Sequence, residues 1–304
     1  RFSNKLTGLI ADRNRLTGIE VSSPDGAYTL ECDSVILAIG HSARDTFEML
    51  DKTGVPMQPK AFSMGARIEH KQADIDLAQY GTEPDGLPAA DYSLNVHFDD
   101  GESAYTFCMC PGGYVVAAAS EEGGVVTNGM SRSSRDGENA NAALLVTLTP
   151  DDFPYDGVLG GMYWQREIEK KAYEIGHDYK ACAQTVGDFL ARTPSTNAGS
   201  VTPSYKPGVH WGDIRSVLPE KITCVMERAI PELGKKLKGF DAPDAVLTAP
   251  ETRSSSPVRI LRDVDRRSEI RGLYPCGEGA GYAGGITSAA VDGMKCAESL
   301  ISTL

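Results

Sequence analysis

Nine residues near the C-terminal end, Gly277-Glu278-Gly279-Ala280-Gly281-Tyr282-Ala283-Gly284-Gly285, contain five glycines. Glycine admits φ > 0 and lets the backbone come close to a bound group. A strand-like run, Gly272 to Cys276, leads into them, and a helical pattern from Ile286 to Leu300 follows. The start of that helix turns the N–H groups of Gly285, Ile286 and Thr287, and the positive end of its dipole, toward whatever the loop holds. The chemistry this suits is a grip on a polar or anionic ligand, with Glu278 accepting hydrogen bonds from ligand hydroxyls. The same glycines also suit a tight strand-to-helix turn with no ligand.

A second element is Asp33-Ser34-Val35-Ile36-Leu37-Ala38-Ile39-Gly40-His41-Ser42, an apolar run that ends in a glycine and two polar residues. Gly40, His41 and Ser42 are candidate ligand contacts, although His41 serves equally as a turn residue. Arg253, Ser254 and Ser255 open a segment that closes with Ser256-Pro257-Val258-Arg259; its hydroxyls and guanidiniums suit an anionic substrate or a plain polar linker. Arg67, a further substrate candidate, alternates with Glu69 along a strand-like run, so the two share a face and can pair. Asn128 is expected in a glycine-rich loop with Ser131, Arg132, Asn139 and Asn141, where substrate contacts concentrate. No nucleophile–base pair stands out, and catalytic residues stay unassigned. The histidines lack metal-ligand spacing, so no metal is expected.

The chain has seven cysteines, none of them in CxxC spacing. Scattered thiols in odd number read as reduced and cytoplasmic rather than as a disulfide framework. Cys108-Met109-Cys110 looks like a strand entering a turn, with both thiols packed into one core face. Cys276 borders the glycine loop as either a redox thiol or a buried strand residue.

The elements that must position these groups follow from periodicity. Leu6 to Ala11, Leu16 to Val21 and Tyr28 to Cys32 read as a β-meander, with Pro24-Asp25-Gly26 as one turn. Ser34 to Gly40 reads as a parallel strand buried on both faces. Residues 44 to 52, Met162 to Ile175 and Pro219 to Leu237 read as helices, the last bent or interrupted at Pro231. Ile286, Ala289, Ala290, Gly293, Ala297 and Leu300 form a small apolar face for packing on a sheet.

The 304 residues are 41% hydrophobic and 24% charged, enough for two domains of an ordinary soluble protein. No apolar run is long enough to span a bilayer. Forty-two acidic against 30 basic residues give a net charge of −12, which disfavours nucleic acid as a partner. The expected partner is a small-molecule substrate; oligomeric state is not encoded in any visible pattern.

Several segments carry a family resemblance. They are Val35 to Asp45, Phe62-Ser63-Met64-Gly65-Ala66-Arg67-Ile68-Glu69-His70, Tyr105-Thr106-Phe107-Cys108-Met109-Cys110-Pro111-Gly112-Gly113, Ala118 to Asn141, Val186 to Leu190, Glu251 to Arg259 and Leu273 to Asp292. Together they resemble the FAD-dependent dehydrogenases, or uncharacterised NAD(P)/FAD-dependent oxidoreductases. The resemblance implies an α/β fold of mixed α+β character: a remnant of a Rossmann-like FAD-binding domain with a β-meander, interrupted by a large mixed α/β substrate domain. It implies residues 1–56 and 251–304 as the two parts of the FAD-binding domain and 57–250 as an inserted substrate or cap domain. It places Gly40, His41, Ser42, Gly277, Glu278, Gly279, Ala280, Gly281, Gly284, Gly285, Ile286 and Thr287 on FAD, with NAD(P)H as the reductant. Family members carry an earlier G-x-G-x-x-G unit for the adenosine diphosphate half. No such motif precedes residue 33, so the stretch is expected to be the C-terminal portion of a longer enzyme, which by itself need not retain FAD. Two other readings are a non-catalytic cofactor-binding or interaction module and a tRNA-modifying flavoprotein; the acidic charge weighs against the latter.

Overall fold

The computed structural model describes residues 1–82 and 86–303. Along the chain run β1 (Lys5–Asp12), β2 (Arg15–Ser23), β3 (Gly26–Glu31), β4 (Val35–Leu37), α1 (Arg44–Lys52), β5 (Met57–Pro59), β6 (Phe62–Lys71), α2 (Gln72–Tyr80), β7 (Asn95–His97) and β8 (Ser103–Cys110). Next come β9 (Gly113–Ala117), β10 (Thr127–Ser131), β11 (Asn139–Leu148), α3 (Gly160–Gly176), β12 (Ala181–Thr185), α4 (Val186–Leu190), β13 (Val209–Trp211) and α5 (Glu220–Gly234). Last are β14 (Val246–Glu251), β15 (Val258–Ile260), β16 (Leu273–Pro275) and α6 (Ile286–Ile301). The fold class is mixed α/β. Two compact units are present: Arg1–Phe62 with Thr149–Trp164 and Arg253–Leu304, and Ser63–Leu148 with Gln165–Thr252.

In the first unit β1, β2 and β3 form an antiparallel meander. Its first turn places Arg13 and Asn14 at φ 45° and 66°, the left-handed pair that a two-residue hairpin needs. Leu16, on β2, joins Leu37, Phe47, Leu50, Ile260 and Leu273 in the buried core of this unit. Strand β4 pairs in parallel with β16, and β5 pairs with β15. The expected strand over Ser34 to Gly40 is shorter than its apolar run: only Val35–Leu37 is extended into a ladder, and Ile36 is exposed rather than covered on both faces.

Helix α6 turns a different face inward from the one its apolar pattern suggests. Its buried residues are Asp292 and Cys296, whereas Ile286 is 93% exposed. Asp292 points inward to an ion pair with Arg262, while Ile286 and Ala290 stay exposed.

The second unit is built on a seven-stranded sheet in the order β13-β12-β14-β6-β11-β8-β7. Strand β12 pairs in parallel with β13, while β12 with β14, β14 with β6, β11 with β8 and β7 with β8 are antiparallel. Strand β6 is buried at every position from Phe62 to His70, so both its faces are covered. Helix α5 runs through Pro231 without interruption. The missing N–H costs one bond near the helix end, and the buried stripe Ile222, Val225, Met226, Ala229, Ile230 and Leu233 carries the helix past it.

Cys108 and Cys110 do not share a core face. Cys108 is exposed with φ 42°, and Cys110 is half-buried. The ladder of β8 with β11 jumps between the pairs Asn141–Cys110 and Ala143–Phe107, a bulge that spoils the two-residue alternation. Asn128 and Ser131 lie on β10, and Asn139 and Asn141 on β11, so these residues belong to strands rather than to one loop. Among the described residues no helix is long and apolar enough to cross a membrane.

Candidate functional site

The parallel register Val35–Leu273, Ile36–Tyr274 and Leu37–Pro275 brings the ends of β4 and β16 side by side. Both strands then release glycine turns at the same end of the pair, the edge where open parallel sheets hold ligands. Gly40 has φ 67° and Gly277 has φ 73°, left-handed conformations that glycine adopts freely. Gly279 lies against Gly40 so closely that a Cβ on it would sit 2.3 Å from the Gly40 carbonyl oxygen.

Two side chains join the turns. His41 Nδ1 is 3.0 Å from Glu278 Oε1, so neither acts as an isolated turn residue. Ser42 Oγ accepts from Arg253 Nη1 at 3.3 Å. Ser256 Oγ donates to the Val258 carbonyl at 2.8 Å and the Gly279 carbonyl at 3.2 Å. Ile260 N–H donates to the Ala280 carbonyl at 3.1 Å, and Arg259 Nη2 to that of Gly281 at 3.3 Å. Ser254 and Ser255 are half-buried in the same segment. Sequence candidates from three separate stretches, 40–42, 253–255 and 277–281, therefore meet.

A network not visible from sequence anchors the start of the loop. Gly277 N–H donates to Asp292 Oδ2 at 2.7 Å, and Arg262 donates to both Asp292 oxygens at 2.9 and 2.6 Å. Burial opposes ionisation of Asp292, but these hydrogen bonds and the charges of Arg262 and Arg266 outweigh it and hold its carboxyl below the ordinary range. Arg262 also lies 3.6 Å from the ring centroid of Tyr282, within the loop. Cys276, Asp292 and Cys296 cluster closely enough to ligate a metal. The Arg262 guanidinium already supplies the cation there, at 3.3 Å from Cys296 Sγ. Burial pushes both thiols up, that of Cys296 to about 12.

Gly284 has open space where a Cβ would stand, and Gly285 is extended at φ −173° as the residue before α6. The first-turn N–H groups of α6, including those of Ile286 and Thr287, have no acceptor within the helix, and both side chains are exposed. A polar cradle results: two glycine turns, a His–Glu pair and an open helix N-terminus on one unit. That is a fit for a polar ligand carrying hydroxyls and negative charge.

Arg67 and Asn128 lie in the second unit, apart from this cradle in the chain's organisation. Arg67 is fully buried and all five of its N–H donors are taken. Nε and Nη2 hold Glu251 at 2.5 and 2.8 Å, Nη1 reaches the Cys108 carbonyl and Asn141 Oδ1, and Nη2 also reaches Asn128 Oδ1. With no donor left and no exposure, Arg67 pins strands together instead of touching substrate. It does not pair with Glu69 either; that carboxylate accepts from Ser204 and Asn139, while burial pushes its pKa up. Gly129 makes the arrangement possible, since a Cβ there would sit 2.4 Å from Arg67 Nη1.

Comparison with known proteins places the chain in a family. The family model described as FAD-dependent protein, C-terminal domain-like, matches residues 61–254. An uncharacterized protein of Clostridium beijerinckii is 46% identical over 305 residues, covering 99% of this chain and 56% of that protein. The chain thus spans little more than half the length of this relative. Among solved structures, an oxidoreductase from Methanosarcina mazei aligns with 97% of this chain and 49% of its own, at 11% identity and a TM-score of 0.32. A pyridoxine 4-oxidase from Mesorbium loti aligns with 98% and 57%, at 11% identity and a TM-score of 0.33. Both structural likenesses are too loose to support further argument.

Proposed function

The chain belongs to the FAD-dependent protein family with this C-terminal domain-like region, and from that premise we propose that it supplies one wall of the FAD site of an oxidoreductase acting on a small molecule. The observation that carries the reading is the meeting of Gly40–Ser42 with Gly277–Gly281 at one end of the β4–β16 pair.

Each residue has a role the geometry suits. Gly40 and Gly277 bend the backbone beside the cofactor, and Gly279 and Gly281 let the loop close on the Gly40 and Val258 backbone so that it keeps that shape. Glu278, oriented by His41, accepts from ribityl hydroxyls. Gly284 and Gly285 leave the approach clear while the buried Ala280 anchors the loop in the core, and the N–H groups at Gly285, Ile286 and Thr287 present positive potential to the flavin ring. FAD, when bound, supplies the electron and hydride transfer; the protein binds, orients and shields it. NAD(P)H as the reductant and a cytoplasmic location complete the proposal, the latter because all seven cysteines are free thiols. Arg253, Ser254 and Ser255, which open the last segment of the first unit, are the candidates for contact with the substrate.

Flavin fluorescence quenching on titration with FAD tests this. Quenching to saturation is expected for the protein, with at least about tenfold weaker binding for Glu278→Ala. Equal affinity in Gly279→Val and Glu278→Ala variants would remove the cradle from the cofactor site. Anaerobic bleaching of the flavin absorbance by NADH or NADPH checks the reductant; a flavin-bearing protein that neither bleaches loses that part of the proposal.

A further inference from the structure

At the opposite end of the β4–β16 pair, where the strands begin, lies a cavity of about 610 Å³. Ser34 and Gly272, the residues just before β4 and β16, line it, so it is separate from the glycine turns that follow those strands. The crossing is close. Gly272 has φ 90°, and a Cβ there would lie 2.1 Å from the Asp33 carbonyl oxygen.

The charged lining consists of Arg15, Arg267 and Arg271 with Asp33, Asp263 and Glu269. Arg15 and Arg271 are partners in an isolated parallel β-bridge. The bridge sets the two residues side by side, and both line the cavity; like charges placed so cost stability when nothing neutralises them. Neither makes an ion pair among the described residues, and Arg267 reaches only Asp265, at 3.9 Å and outside the cavity. Three cations and three carboxylates thus face one space without closing across it. Asp263 accepts the Arg267 main-chain N–H at 2.8 Å, which holds that wall in place. Tyr274 and Thr303 share a hydroxyl hydrogen bond of 3.2 Å, and both line the cavity.

An unpaired arginine pair suits a phosphate group, which accepts from guanidinium forks. The carboxylates standing off from it suit hydroxyl donors. The volume lies in the ordinary range for a small-molecule site. We infer that this cavity binds a phosphorylated ribose, with Arg15 and Arg271 on the phosphate and Asp33 and Glu269 on the sugar hydroxyls. The inference stands apart from the flavin reading, because it uses none of that site's residues.

Isothermal titration calorimetry on the protein, with and without excess FAD, tests it using ribose 5-phosphate, AMP, ribose and inorganic phosphate. Saturable binding of the phosphorylated riboses is expected, unchanged by FAD, and at least about tenfold tighter than ribose or phosphate alone. The Arg15→Gln/Arg271→Gln variant, both sites being exposed, should keep or raise its melting temperature and lose at least about tenfold in affinity. Glu269→Gln should weaken ribose 5-phosphate while leaving inorganic phosphate unchanged, which keeps the test valid if the double variant fails to fold. A clear preference for AMP assigns a nucleotide; equal affinity assigns a sugar phosphate. No saturable heat at millimolar ligand, undiminished binding in the variants, or displacement by FAD would each overturn the inference.

Discussion

Arg67 and Glu251 show how a single residue pair divides structural from functional work. Arg67 spends every donor inside the protein, and burial pushes the Glu251 carboxyl up against the pull of the guanidinium. Removing one partner strands the other. Arg67→Met is expected to cost about 3–5 kcal/mol in urea denaturation, and Arg67→Met/Glu251→Leu distinctly less. A single-variant loss under about 1 kcal/mol would mean the pair is not what pins the strands. Asp292 makes the opposite prediction about pH. Its folded pKa lies below the ordinary 3.8, so its stabilisation is present above that value and is lost as pH falls through the lower folded one. Melting temperatures of the protein and of Asp292→Asn should therefore differ at neutral pH and converge in strong acid; a gap that persists there contradicts the assignment.

The elements were unequally legible. The glycine turns could be read because φ > 0 restricts residue choice locally, and Gly40 and Gly277 meet that need. The apolar runs likewise announced β4, α3 and α5, since burial periodicity is local. What escaped was tertiary. The partner of Arg67 stands 184 positions away and no local pattern names it. The inward face of α6 follows Asp292, whose reason for burial is Arg262 on another segment. The bulge at Cys108 depends on register with β11, which strand alternation alone does not contain. At this scale Gly279→Ala is the informative change. Its methyl would collide with the Gly40 backbone, so a loss of about 1–3 kcal/mol is expected from thermal or urea unfolding. A neutral result would show that the two turns are free to separate.

For the whole molecule, thiol exposure offers a readout that covers both units at once. Cys108 and Cys224 are exposed, while Cys182, Cys276 and Cys296 are buried, and burial pushes Cys182 to about 12. Titration of the native protein with a chromogenic disulfide should show Cys108 and Cys224 reacting first and the three buried thiols only on unfolding. Rapid native modification of Cys276 or Cys296 would place the loop anchor at the surface.

The pairing of β4 with β16 also has a consequence in time. These strands come from distant parts of the chain, and one is made long before the other exists. Throughout synthesis of the intervening residues Val35-Ile36-Leu37-Ala38-Ile39 remains a short uncharged β-prone run without its ladder partner, the kind of segment that recruits other chains. Among the second unit's strands, by contrast, the last is β14, so its sheet can close while this run still waits. The two glycine turns can consequently come together only after Leu273–Pro275 have been made, and until then Val35–Leu37 is the strand most open to pairing with another chain.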